Sequence, residues 1–201
     1  MNRYKITTYC LLSFFALLLF FQAPAQQLPS KAMQIKTAVL AAPEDLREGA
    51  MVYGYDARGT WTVLREGSND MVCIADDPNT EGFSVACYHK QLEPFMERGR
   101  ELRKEGKNFK EIFDTREAEA KAGTLQMPKD GATLYSLSAA AEDYDGMNGE
   151  VKNTYLRYVV YIPWATQEST GLALKPEAPG MPWIMDPGTH RAHIMINPPK
   201  E

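Results

Sequence analysis

Cysteine is scarce: the chain of 201 residues has three, and none stand as Cys-x-x-Cys. That spacing is the usual sequence sign of a redox pair or a thiolate zinc site. Histidine also numbers three. The frames that announce common catalysts are missing. There is no His-Glu-x-x-His, no Ser-x-x-Lys and no phosphate loop. Ser169, in Gln-Glu-Ser-Thr-Gly, lacks the first glycine of a nucleophile elbow. No catalytic residue is nominated on these grounds, and no cofactor is expected. Positive charge is short too, with 22 basic against 26 acidic side chains and a formal charge of −4. Arg98, Arg100, Arg103 and Lys104 cluster, but Glu97, Glu101 and Glu105 interleave with them, as on a solvated helix face. Nucleic acid is therefore not an expected partner, since that affinity comes largely from neutralising phosphates.

Long apolar runs are confined to the start. Arg3 and Lys5 precede Leu11–Phe21, which is apolar apart from Ser13, and Ala23-Pro24-Ala25 then offers small residues for cleavage. This is the pattern of a secretory signal over residues 1–25. The run is shorter than the ~20 residues of a membrane span. No stable membrane insertion is expected after cleavage, and the expected destination is the periplasm or the exterior. Losing residues 1–25 removes two cations and no acid, which takes the formal charge from −4 to −6. It also removes Cys10 and leaves Cys73 and Cys87, an even pair that suggests a disulfide in an oxidising compartment.

Residues 26–36 are polar, with one proline and no clear period, and read as a disordered leader. Residues 37–201 read as a single α+β domain: an antiparallel sheet with one or two amphipathic helices packed on one face. Short β-rich stretches at Met51–Tyr55, Thr60–Arg65, Met71–Ala75 and Phe83–His89 are separated by turn residues, as in a meander. A turn centred near Thr80 would set Cys73 opposite Cys87, within bonding range as a non-hydrogen-bonded pair. Closing such a loop contributes roughly 3 kcal/mol.

The period then lengthens. Leu92, Phe95, Met96, Leu102, Phe109, Ile112 and Phe113 form one helical stripe. Gly106, with Asn108 and Glu111 as a fresh cap, would split it in two; the unbroken phase also allows one long helix. Strands follow at Ala132–Ser138, at Thr154–Ile162, which is apolar enough to be central, and at Ala192–Ile196. Between the first two, Asp143, Asp145, Asn148 and Glu150 imitate a calcium loop. Asn148 stands where glycine belongs, so the reading is a solvated loop.

The candidate binding region is the connection that ends at His193. Trp164, Trp183, Asp186, His190 and His193 fall in a proline-rich, aromatic stretch, and loops carried by a sheet concentrate binding residues. A three-residue step puts His190 and His193 on opposite faces of a strand unless His190 lies in the preceding turn. Met185 and Met195 flank the pair.

The segments Val-Ala-Cys-Tyr-His-Lys with Leu-Glu-Pro-Phe-Met (85–96), and Thr-Gln-Glu-Ser-Thr-Gly-Leu (166–172) with Pro-Trp-Ile-Met-Asp-Pro-Gly-Thr (182–189), resemble a group of exported bacterial proteins of unassigned function. The resemblance implies bacterial export and brings no activity, cofactor or site residue. The expected function is an exported, small, soluble, non-enzymatic binding protein whose partner is a small molecule or an envelope protein. One alternative is a zinc- or copper-dependent enzyme or metal carrier using His190, His193 and Asp186. Another is a hydrolase of envelope material with carboxylates that the sequence does not identify.

Overall fold

Cys73 and Cys87 do face one another. Their strands pair Met71 with His89 and Cys73 with Cys87, and a disulfide joins the two cysteines, whose Cα atoms are 4.0 Å apart. The computed structural model describes residues 28–200. The signal expected at 1–25 lies outside the described residues.

In chain order the elements are α1 (Lys31–Ala38), β1 (Met51–Tyr55), β2 (Trp61–Arg65), β3 (Met71–Ile74) and β4 (Phe83–His89). Then come α2 (Glu93–Lys104), α3 (Phe109–Lys121), β5 (Ala132–Ala139), β6 (Tyr144–Asp145) and β7 (Glu150–Val151). The last are β8 (Tyr155–Tyr161), α4 (Gln167–Thr170), β9 (Trp183–Met185) and β10 (His193–Ile196). Eight strands form one sheet in the order β2-β1-β3-β4-β5-β8-β10-β9, and β6 and β7 form a separate hairpin. The architecture is α+β and the sheet is largely antiparallel. β8 is an interior strand between β5 and β10, although Val159 is its one buried residue and Tyr158 is exposed.

Three features differ from the sequence reading. The leader expected at 26–36 is helical from Lys31: Ser30 caps α1, and Gln34, Thr37 and Ala38 are buried. The meander is broken, because β3 does not join β2 but pairs with β1 in parallel. Asn69 explains the crossing. Its side chain donates to the Leu46 carbonyl at 2.8 Å, and Gly49 accepts from the backbone of Ser68 and Asn69, so the turn is carried past the end of β1. Finally, helices cover both faces of the sheet.

β4 shows the two faces. Phe83, Val85 and Cys87 point into a core with Val52, Leu64, Cys73 and Leu137, roofed by Ala38 and Ala41 at the end of α1 and in the turn after it. Tyr88 points the other way, into a core with Val72, Leu92 and Ala132 beneath α2. Burying side chains of this size contributes about 1.5–3 kcal/mol each. Tyr88 is fully buried, and its hydroxyl donates to Glu93 Oε2 at 2.6 Å and accepts from Arg100 at 3.1 Å. The helical stripe resolves into two helices. Gly106 takes φ 80°, and Asn108 and Glu111 form a reciprocal capping box.

Among the described residues the sheet has two edges, β2 and β9. β9 is bridged on its outer side by Ala173 and bracketed in sequence by Pro182 and Pro187. Among the described residues no helix is long and apolar enough to cross a membrane.

Candidate functional site

The five residues expected to bind do not form one site. Trp164 is exposed, and a shallow cavity of about 310 Å³ beside it is shared with Lys129 and Asp130. Trp183 is half-buried in β9. Asp186 pairs with Arg191 at 2.6 Å. Trp164 and Asp186 hold left-handed backbone, at φ 70° and 51°, in a connection tied by the bond from Trp164 N–H to the Thr189 carbonyl at 2.8 Å. Residues other than glycine hold such angles only where the surroundings enforce them.

His190 does lie in the turn before β10, so both histidines end on the α2 side of the sheet, but with different partners. His193 Nδ1 lies 2.7 Å from the Arg191 carbonyl, and its ring stacks on Tyr161 at 5.1 Å. His190 is fully buried, with Phe95 and Phe113 meeting its ring edge-on at 5.7 and 5.0 Å. Its Nδ1 is 2.5 Å from Glu117 Oε2, and its backbone N–H donates to the same oxygen at 2.9 Å. Lys121 pairs with the other oxygen at 2.7 Å. Burial works to raise the Glu117 pKa, but the hydrogen bonds from Lys121 and His190 outweigh it and bring it down to about 2. Burial also holds His190 below the ordinary imidazole value, against the pull of Glu117. Arg116, in the same layer, lies 3.9 Å above the Phe95 ring and donates to the Phe95 carbonyl at 3.1 Å.

An imidazole with a carboxylate partner is the pair that base catalysis uses. Here the imidazole is fully buried while Glu117 keeps a partly exposed edge, and the pair fastens α3 to the turn before β10. Among the described residues no three His, Cys, Asp or Glu side chains gather where they could hold a metal ion. The set His190, His193 and Asp186 therefore has no shared centre.

The opposite face carries a better-formed site. A cavity of about 290 Å³ opens where α1, the turn after β3 and the β6–β7 hairpin meet, and Gln34, Thr37, Asp76, Tyr144 and Met147 are among its walls. That is close to the lower limit of small-molecule pockets, roughly 300–1,000 Å³. Each wall has a local cause. Gln34 is fixed by donating to the Pro29 and Tyr55 carbonyls and accepting from Tyr55 N–H, each at 2.9 Å. Tyr144 packs on Phe83 with ring centroids 4.6 Å apart. Gly146 lies so close that a Cβ would come within 2.9 Å of Pro29 Cγ and 3.0 Å of the Tyr144 oxygen. Asp145 holds the hairpin turn by accepting from the backbone of Met147 and Asn148 at 3.0 and 3.2 Å.

Asp76 is the chemically distinct wall. One oxygen accepts from Ser84 N–H at 2.8 Å, and no cationic side chain pairs with the carboxylate among the described residues. Burial, with a smaller push from Asp77, raises it to about 6 despite that hydrogen bond. A displaced pKa in a cavity is a recognised mark of a functional group.

The sequence reading missed this site. The residues between Met71–Ala75 and Phe83–His89 read as a plain turn, and the 143–150 loop reads as solvated. The one available signal was that loop's density of acidic and amide side chains, which fix the turn rather than hold calcium. Compared with known proteins, the chain matches no family model, no curated protein and no solved structure.

Proposed function

We propose that the protein is an exported, non-enzymatic binding protein that holds a small ligand in the Asp76 cavity. The observation that carries this reading is a partly buried carboxylate with no cationic partner among the described residues, facing an open cavity between α1 and the β6–β7 hairpin. Binding sites are concave, mostly apolar, and carry a few placed polar groups, and this cavity has that composition. The non-enzymatic reading rests on the absence of a catalytic motif and on the full burial of the His190 ring. Export rests on the N-terminal pattern and on the bacterial resemblance, with the disulfide in keeping with an oxidising compartment.

Amide NMR of the oxidised protein against a fragment library tests the site. Saturable shifts are expected at Gln34, Thr37, Asp76 and Tyr144. Shifts confined to Trp164–His193 would instead return the site to the region the sequence favoured. Stoichiometric zinc or copper in protein purified without a tag, lost in a His190→Ala/His193→Ala double variant, would replace this reading with the metal-dependent one.

A further inference from the structure

We infer that the ligand of the Asp76 cavity is a small organic ammonium ion; the inference rests on the binding reading above and narrows it. Both N–H bonds of the Gln34 amide are used, and its oxygen already accepts. The Thr37 hydroxyl spends its hydrogen on the Met33 carbonyl at 3.0 Å and keeps only acceptor capacity toward the cavity. Asp76 has one oxygen with no hydrogen-bond partner among the described residues. Of the side chains lining the cavity, the Tyr144 phenol is the remaining donor, and it is engaged with the Thr37 hydroxyl. A ligand there meets acceptors and negative charge, so it must bring donors and positive charge.

The charged surroundings agree. The charged wall residues are Asp76 and Asp145, both acids; Asp77 adjoins them, and Lys152 acts on Asp145 from beyond β7. From β1, the Tyr55 phenol faces Asp77. From α1, Lys36 is committed elsewhere, donating to the Asn148 carbonyl at 3.1 Å. The rest of the wall is apolar: Pro29, Pro78, the Met147 thioether and the Tyr144 ring. Such walls suit carbon next to the charge and an aromatic face beside it. They do not suit a hydrated metal ion, which takes several oxygen ligands.

Binding draws on the ionised form of Asp76. Because the free carboxyl titrates near 6, an ammonium ion expels a proton when it binds around that pH. Affinity is full above this range and falls about tenfold for each unit below it.

The test is amide NMR of the oxidised protein at pH 8 with ethylammonium, propionamide and propionate as separate probes. Ethylammonium is expected to shift Gln34, Thr37 and Tyr144 saturably, to weaken about tenfold by pH 5, and to lose its effect in Asp76→Asn. That variant keeps the oxygen that accepts from Ser84. Should it fail to fold, the pH profile of the native protein decides alone. If propionamide or propionate shifts these residues and ethylammonium does not, the ammonium inference falls and the cavity remains a binding site. A flat ethylammonium profile from pH 8 to 5 overturns the inference in the same way. If no probe of any charge shifts them, both readings fall.

Discussion

Two carboxylates on opposite faces of one sheet meet burial in opposite ways. Glu117 reaches the buried turn before β10 and finds three donors: Lys121, and the backbone and ring of His190. It stays ionised to about pH 2. Asp76 is partly withdrawn from water with one backbone donor and, among the described residues, no paired cation, and its pKa rises to about 6. Burial alone does not say whether a charged group is structural or functional; the partners do. A carboxylate met by three donors beside a fully buried histidine joins elements together. An unsatisfied group that opens on a cavity keeps its capacity for something else.

The largest expected effect tests the sealed side. Phe95 is 2% exposed and supports both Arg116 and His190, so Phe95→Ala should lower unfolding free energy in urea by about 3–5 kcal/mol. A substitution in the cavity wall with a comparable cost would erase the contrast between the two regions. Next is Glu117→Gln, which keeps the shape and removes the charge. It should cost about 1.5–3 kcal/mol at pH 7, as expected for hydrogen bonds to a charged group.

The pH dependence should separate the regions by sign. His190 lies below its usual 6.5 and Glu117 below its usual 4.5, so the unfolded chain binds more protons at these sites. Their contribution is in place at neutral pH and is lost as pH falls, first below 6.5 and then from 4.5 toward 2. Asp76 acts in reverse: raised from 3.8 to about 6, it favours the folded state increasingly as pH falls through that window. In urea titrations, Asp76→Asn should steepen the loss of stability between pH 6 and 4, and Glu117→Gln should flatten it below 4.5. Equal slopes in the two variants would break the comparison. The smallest effect belongs to Met147, which is 54% exposed: Met147→Ala should change stability by no more than about 0.5 kcal/mol while weakening whatever occupies the cavity.

Much of the fold was legible because its signals are local. Alternation marked the strands, the spacing of Cys73 and Cys87 gave the hairpin register, and Asn108 with Glu111 marked the start of α3. What was not legible depends on contacts remote in sequence. α1 buries Gln34 and Thr37 rather than an apolar stripe, because their side chains are satisfied by main-chain carbonyls in place, so the segment looked disordered. The parallel pairing of β3 is set by Asn69 reaching back to Leu46. His190 drew attention as a histidine, but its partner lies 73 residues earlier on a helix face that reads as solvated. The cavity belongs to three segments that no sequence window contains.

The unlike edges of the sheet bear on how the protein behaves when concentrated. β9 is three residues long, bridged by Ala173 and flanked by two prolines that have no N–H to offer. β2 presents Trp61 to Arg65 with no proline within it, and Arg65 turns its guanidinium inward to the Ala50 and Arg47 carbonyls instead of guarding the rim. Among the described residues no strand pairs with the outer side of β2, and a strand so placed is a template for another chain. Self-association of crowded samples should therefore begin at β2, and a lysine at Val63, placed to charge that rim, is the change that should keep the solution clear.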